Sequence, residues 1–363
     1  MRRRSSLEIV RLQQEELFVS GEGEYHTYRI PALVVTGEDT ILAFCEGRRD
    51  SSSDSGQIDL LLRRSEDGGQ SWGMTQVLVT EPDMTCGNPC PVVDRRTGTL
   101  CLLFCKNLAE GHEGLITEGK APRTVWLTRS QDDGVTWTEP EEITATTKDP
   151  SWTWYATGPT HGIQLANGRL VVPCDHMVGV DFDRKTDPYH SHVIISDDGG
   201  GSWQIGGIVD EGTNECAVIE TANGSLYINC RNYRGEKRRA SARSVDGGSS
   251  FQPRIWEDDL PEPICQGSLV SLPGDRGGAA LSDLALFANP ASTEARCDLT
   301  LRITEDGGRS WSTLRSLYEG PAAYSDLAVT AEGGVLCLYE RGADSPYETL
   351  TLAQMTLAQM TLA

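Results

Sequence analysis

Short apolar runs, broken by Gly, Pro, Asn and Asp, recur along the whole chain, and they come in pairs. "RIPALVVTGEDTILAFCEGR", "NPCPVVDRRTGTLCLLFCKN", "GIQLANGRLVVPCDHM", "CAVIETANGSLYINCRN", "SLVSLPGDRGGAALSDLALFANP" and "YSDLAVTAEGGVLCLYERG" each hold two such runs around a glycine-containing turn. Each therefore reads as strand, turn, strand. Helical periodicity is scarce, and no stretch looks like a linker. No run reaches the roughly 18 apolar residues that a membrane-spanning helix requires.

After each of the first five pairs comes a third run: "IDLLLRRS", "TVWLTRS", "SHVIIS", "RASARS" and "DLTLRIT". Each leads into a shared box, "SEDGGQSW", "SQDDGVTW", "SDDGGGSW", "SVDGGSSF" or "TEDGGRSW". The common form is [ST]-x-D-x-G-x-[ST]-[WF], with aspartates at 67, 132, 198, 246 and 306 and gaps of 65, 66, 48 and 60 residues. Five matches at a near-regular period mark repeated supersecondary units. The aspartate can accept N–H groups within its own turn, and the glycine can take a positive φ. The aromatic then enters the next strand and packs beneath the turn. Repetition of one aspartate at five turns reads as scaffolding, not catalysis.

Four antiparallel strands per unit predict a propeller blade. The chain is expected to be all-β: a six-bladed β-propeller of four-stranded antiparallel blades, one domain over residues 1–363. The sixth unit lacks a box. Its third strand is "ETLTLAQMTLAQMTLA", and an N-terminal segment at about 7–19, "LEIVRLQQEELF", supplies its outer strand and closes the ring. Residues 351–363, with "TLAQM" repeated, read as a low-complexity tail that can extend beyond the fold.

Composition narrows the partners. The formal net charge of −21 argues against nucleic acid and anionic membranes, so any anionic ligand needs a local cluster of arginines. The start "MRRRSSLEIVRLQQEEL" is basic but lacks the apolar stretch of a secretory signal, which leads us to expect a cytoplasmic protein. The 11 cysteines then read as reduced thiols. Cys86, Cys90, Cys101 and Cys105 have a spacing that zinc could use, but "TLCLLFCKN" reads as a buried strand with cysteine as a small hydrophobe. No metal or organic cofactor is expected.

In a propeller, residues at the same end of each inner strand converge on one funnel. Charged and phenolic residues stand at that phase: Arg29 in "YRIP", Glu215 in "NEC" and Tyr324 in "AYSDL". The ends of second strands face the same rim with Glu46, Arg48, Arg231 and Glu340, while Arg296 opens a third strand. Asp54 lies in the loop "RRDSSSDSGQ". A single charge at a strand end is ordinarily solvated. Three arginines, a tyrosine and several carboxylates at one phase in four units point instead to an anionic ligand, and arginine suits a carboxylate.

"YRIP", the five boxes, "EGRRDSSSDSGQIDL", "NPCP", "NEC" and "AYSDL" give the chain a close resemblance, over roughly residues 10–350, to the exo-α-sialidases (neuraminidases) of the bacterial and animal cytosolic type. The resemblance implies that Arg29, Arg231 and Arg296 clamp the substrate carboxylate and that Glu340 holds the first arginine. It implies Tyr324 as nucleophile, Glu215 as its base and Asp54 as general acid/base, with Asp50 the competitor on the same loop. Glu46 and Arg48 resemble secondary pocket residues. A tyrosine nucleophile suits a sugar whose anomeric carbon bears a carboxylate, and sialidases are a known exception to the two-carboxylate rule of glycosidases. The expected substrates are sialylated oligosaccharides, glycoproteins or glycolipids. The alternatives are a non-catalytic glycan-binding propeller and, on the same site, a trans-sialidase or a hydrolase of the deaminated sugar.

Overall fold

The computed structural model describes residues 7–179, 188–273 and 281–359. The paired apolar runs form antiparallel ladders: Thr27–Val35 with Ile41–Arg48, Met84–Asp94 with Thr99–Leu108, Cys216–Glu220 with Leu226–Cys230, and Ser268–Ser271 with Ala285–Pro290. The far half of Ser312–Val329 pairs in the same way with Val335–Arg341. The turn expected at 274–280 lies outside the described residues.

The third pair departs from the expected hairpin. Leu170–Val178 pairs with two short strands, Trp152–Thr157 and Ile163–Gln164. Between them the chain jogs at Gly158, which has φ +65° and where a side chain would come within 2.5 Å of the Thr160 nitrogen. "WTWYAT" shows no clean alternation, so the inner half of this strand escaped the apolar pattern.

Among the described residues, hydrogen bonding joins the strands into four sheets, of seven, five, four and eight strands, instead of six separate sets of four. Two links cause the merging. Ser312–Val329 is 18 residues long, and its first half pairs with Cys297–Thr304 while its second half pairs with Val335–Arg341. A parallel bridge, Ile58 to Thr85, ties the strand Ile58–Ser65 to Met84–Asp94. The inner strands nonetheless touch in cyclic order. Thr27–Val35 meets Met84–Asp94, which meets Trp152–Thr157; Leu170–Val178 meets Cys216–Glu220, then Ser268–Ser271, then Ser312–Val329, which returns to Thr27–Val35.

Leu7–Val19 pairs antiparallel with Thr349–Gln359. The expectation that residues from 351 form a tail beyond the fold fails as far as Gln359; residues 360–363 lie outside the described residues. Alternation explains why. Leu350 and Leu352 enter one apolar cluster, and Ala353 and Met355 enter the next, so this strand is buried on both faces.

The boxes join third to fourth strands and are built alike. The leading Ser or Thr hydroxyl donates to the aspartate Oδ1 at 2.7–2.8 Å, in Ser65–Asp67, Ser130–Asp132, Ser196–Asp198, Ser244–Asp246 and Thr304–Asp306. The backbone N–H four residues after each aspartate donates to it at 2.8–2.9 Å. The box aromatics seal seams between neighbouring units: Trp137 meets Phe44 edge-on, and Trp311 packs on Tyr227 and Phe287. Cys90, Cys101 and Cys105 share one apolar cluster, whereas Cys86 packs in another, so the four thiols do not converge. Among the described residues, no helix is long and apolar enough to cross a membrane.

Candidate active site

A kink builds the first part of the site. In "YRIP" the ladder shifts register between Arg29 and Ala32, and Ile30 takes φ +56°. A left-handed β-branched residue is strained and persists only where its surroundings enforce it. Here Glu340 does so: its Oε1 accepts the Ile30 N–H at 3.0 Å and the Arg29 Nε at 3.0 Å. Glu340 Oε2 accepts Arg29 Nη2 at 3.3 Å and the Tyr324 N–H at 3.1 Å. This fully buried carboxylate thus fixes both an arginine and the backbone of Tyr324. It keeps the Arg29 guanidinium charged against the pull of burial.

The same device recurs one unit on. "NPCP" shifts register between Gly87 and Cys90, Asn88 takes φ +57°, and its N–H donates to Glu46 Oε1 at 2.8 Å. Glu46 Oε2 holds Arg48 at 2.7 Å. Arg48 in turn reaches the Ser52 carbonyl at 2.6 Å and Asp54 at 2.7 Å.

Tyr324, Glu215 and Arg231 form a compact set. The Tyr324 hydroxyl donates to Glu215 Oε1 at 2.6 Å and receives Arg231 Nη1 at 2.8 Å. Arg231 Nη1 also pairs with Glu215 Oε2, and its Nη2 reaches the Tyr233 hydroxyl at 3.1 Å. Burial is the main influence on Tyr324 and pushes its phenol well above the usual value; Arg231 and Arg296 pull the other way. The ground-state phenol is therefore neutral, with a carboxylate acceptor already in place.

Arg296 donates to the Tyr347 hydroxyl at 2.8 Å and the Ile264 carbonyl at 3.2 Å. The Tyr347 ring also lies under Arg29, 4.2 Å from the guanidinium carbon to the ring centre. Asp54 reaches into the pocket from its loop and meets Arg29 Nη1 at 3.0 Å. Its side chain stays 75% exposed, so the desolvation that would raise its acid is partial, and Arg48 and then Arg29 outweigh it and hold the acid at about 2. Asp50 is exposed and does not line the pocket.

Arg29, Arg231, Arg296, Tyr324, Glu215, Asp54, Glu46 and Arg48 line one cavity of about 120 Å³; Glu340 stands behind it, holding Arg29. A roomier cavity of about 550 Å³ lies at the other ends of the inner strands, around Leu33, His161, Leu272 and Val329, and none of these groups lines it. The site cavity has a further wall that the sequence reading missed: Arg123, Trp154 and Asp175, facing Asn88. Arg123 donates Nε to the Tyr155 carbonyl at 2.5 Å and Nη2 to Asn88 Oδ1 at 2.5 Å, and it lies over the Trp154 ring at 4.5 Å. A signal was there to read: Arg123 immediately precedes the third strand Thr124–Ser130, the position Arg296 holds before Cys297–Thr304. Tyr347 gave no such signal, because it follows the last second strand in an irregular loop.

The chain is similar to known proteins along most of its length. The BNR repeat-like domain matches residues 39–337. Sialidase from Micromonospora viridifaciens is 31% identical over 94% of this chain, and the chain spans 54% of that protein's length. Sialidase-3 from Bos taurus is 32% identical, covering 91% of this chain and 89% of the relative. Among solved structures, the Hadza microbial sialidase Hz136 superposes with a TM-score of 0.84 at 30% identity, over 96% of this chain and 68% of that one. The intramolecular trans-sialidase from Ruminococcus gnavus, at 18% identity and a TM-score of 0.76, shares the fold, over 94% of this chain and 96% of that one. The fold is of β-propeller type, and the chain belongs to the sialidase family.

Proposed function

We propose that this chain is a retaining exo-α-sialidase that removes terminal sialic acids from sialylated oligosaccharides, glycoproteins or glycolipids. We read its fold as a single six-bladed propeller with four strands per blade. The six inner strand pairs and the cyclic contacts of their inner strands support that count. The observation that carries the functional reading is the Tyr324 hydroxyl, held 2.6 Å from Glu215 and 2.8 Å from Arg231 beside two further arginines.

In this mechanism Arg29, Arg231 and Arg296 take the substrate carboxylate. The Tyr324 oxygen attacks the anomeric carbon and gives its proton to Glu215. The glycosidic oxygen takes a proton from Asp54 and leaves. Water then yields a proton to Asp54 and attacks the same carbon, and the tyrosine oxygen leaves, recovering its proton from Glu215. Two displacements at one carbon retain configuration. Asp54 accepts Arg29 Nη1. An incoming carboxylate displaces it and neutralises part of the charge that keeps it ionised, so the acid becomes available as substrate binds.

The test is release of 4-methylumbelliferone from its α-sialoside by wild type and by Tyr324→Phe, with the anomer of the first product read by NMR. The reading expects turnover that falls at least about 10³-fold in the variant, with the α-anomer first. Folded wild type that binds sialic acid without turnover would leave a glycan-binding propeller.

A further inference from the structure

Three carboxylates on second strands reach across to the start of the next unit. Glu340 takes the Ile30 N–H, Glu46 takes the Asn88 N–H, and Asp175 takes Asn214 Nδ2 at 3.1 Å. The first two are saturated: each holds an arginine, and both oxygens of each have partners. Asp175 differs. Its Oδ2 accepts both Asn214 Nδ2 and Trp154 Nε1, the latter at 3.0 Å, while its Oδ1 is buried with no hydrogen-bond partner. Asp175 is fully buried, makes no ion pair among the described residues, and lines the cavity that holds Tyr324.

A buried polar oxygen without a partner is costly, and at a binding site it is an invitation to a ligand. We propose that Asp175 is a specificity-determining residue, whose Oδ1 donates a hydrogen bond to an oxygen on the sugar ring's substituents. The inference rests on the sialidase reading. The donor assignment follows from the contacts: with two N–H groups on Oδ2, the proton of a neutral acid sits on Oδ1. Burial first, and the Glu215 charge second, push this carboxyl well above the usual range, which favours that neutral acid. Arg231 and Arg123 oppose the shift without cancelling it. Asp175 therefore discriminates by an O–H donor, where Glu340 and Glu46 anchor arginines. Sugars carrying an acceptor oxygen at the right place satisfy it, and those lacking the oxygen leave it unpaired, the arrangement that discriminates most strongly.

The experiment uses three 4-methylumbelliferyl α-glycosides: the N-acetyl sialoside, the deaminated sialoside, and a sialoside whose glycerol side chain has been trimmed. Asp175→Leu is expected to lose about 10- to 100-fold in kcat/KM on the full sugar, and Asp175→Asn, which keeps a donor, to stay within about fivefold of wild type. On at least one altered sugar the Leu penalty should shrink at least tenfold. An equal penalty on all three sugars overturns the inference. Should Asp175→Leu fail to fold, infrared difference spectra between wild type and Asp175→Asn carry the test. A carboxylic-acid carbonyl band that shifts on adding free N-acetylneuraminic acid supports the assignment. An ionised group, or a band unmoved by bound sugar, overturns it. Wild type inactive on all three glycosides sinks the sialidase reading, and this inference with it.

Discussion

Asp67, Asp132, Asp198, Asp246 and Asp306 sit at turns between third and fourth strands, and each is held by the hydroxyls and N–H groups of its own box. Glu340, Glu46 and Asp175 sit at the mouth of the inner strands, and each also accepts a group from the next unit. The box aspartates close local loops only a few residues long. Glu340 spans 311 positions to Arg29, so it registers the last unit against the first. The repeated acids stabilise each unit, and the unrepeated ones tie units together while shaping a pocket. Chemistry is found where the repeat stops being a repeat.

The sharpest way to break this comparison is to remove one acid of each kind. Glu340→Ala leaves Arg29 buried without its main partner and frees the Ile30 and Tyr324 N–H groups. Uncompensated buried charge typically costs about 3–5 kcal/mol. Activity on the sialoside should fall by at least about 10³-fold, and the melting temperature should drop by several degrees. Asp198→Ala, at a box, should lower the melting temperature by roughly 2–4 °C with KM unchanged. A box variant with a changed KM at normal kcat would mean that the boxes reach the pocket, and the division would be wrong.

The box aspartates and Asp175 also differ in sign with pH. Hydroxyl and N–H donors hold Asp67, Asp132, Asp198 and Asp246 at about 2, below an unfolded value near 4. Their stabilisation is complete above about pH 4 and is lost as pH falls towards about 2. Burial and then Glu215 raise Asp175, so it works in the opposite sense: its contribution is present below about pH 4 and is lost as pH rises. Thermal melts should show Asp175→Asn gaining on wild type as pH climbs from 4 to 8. Asp198→Asn should instead lose against wild type above pH 4 and converge with it near pH 2. Parallel melting curves for the two variants would remove the distinction.

Sequence and structure part company along the same line. The box turns were legible because identical local hydrogen bonds demand identical residues, so Asp67 predicts Asp132. The strand-end phase brought Arg29, Glu215, Arg231, Arg296 and Tyr324 to one cavity, since register carries side chains to a common rim. Two things were not legible. Long-range continuity hid the sheet count, because Ser312–Val329 serves two ladders and runs on through Gly320 and Pro321, residues that read as the end of a strand. Trp154 and Asp175 were hidden because Asp175 interrupts a strand that otherwise reads as core, and "VVPCDHM" looks like a polar strand end until Trp154 is seen to meet it; Arg123, by contrast, stands at a readable place before Thr124–Ser130.

Tyr347 gives the finest test of what ties the units together. It contacts two arginines from different units: its ring lies under Arg29 and its hydroxyl accepts Arg296 Nη1. It does not line the cavity, so it acts on substrate only through those arginines. Tyr347→Phe keeps the ring and removes one hydrogen bond to a charged group, a change of about 1.5–3 kcal/mol at most. Arg296 retains the Ile264 carbonyl, so the guanidinium loosens without leaving. The expected result is KM raised by about three- to tenfold with kcat nearly unchanged, because carboxylate binding is shared by ground and transition states. Tyr347→Leu should add a further loss through Arg29, whose cation–π contact disappears. If Phe instead lowers kcat and spares KM, the arginines grip the transition state more tightly than the substrate, and Tyr347 is set to align the reacting carbon over Tyr324, not merely to hold a charge in place.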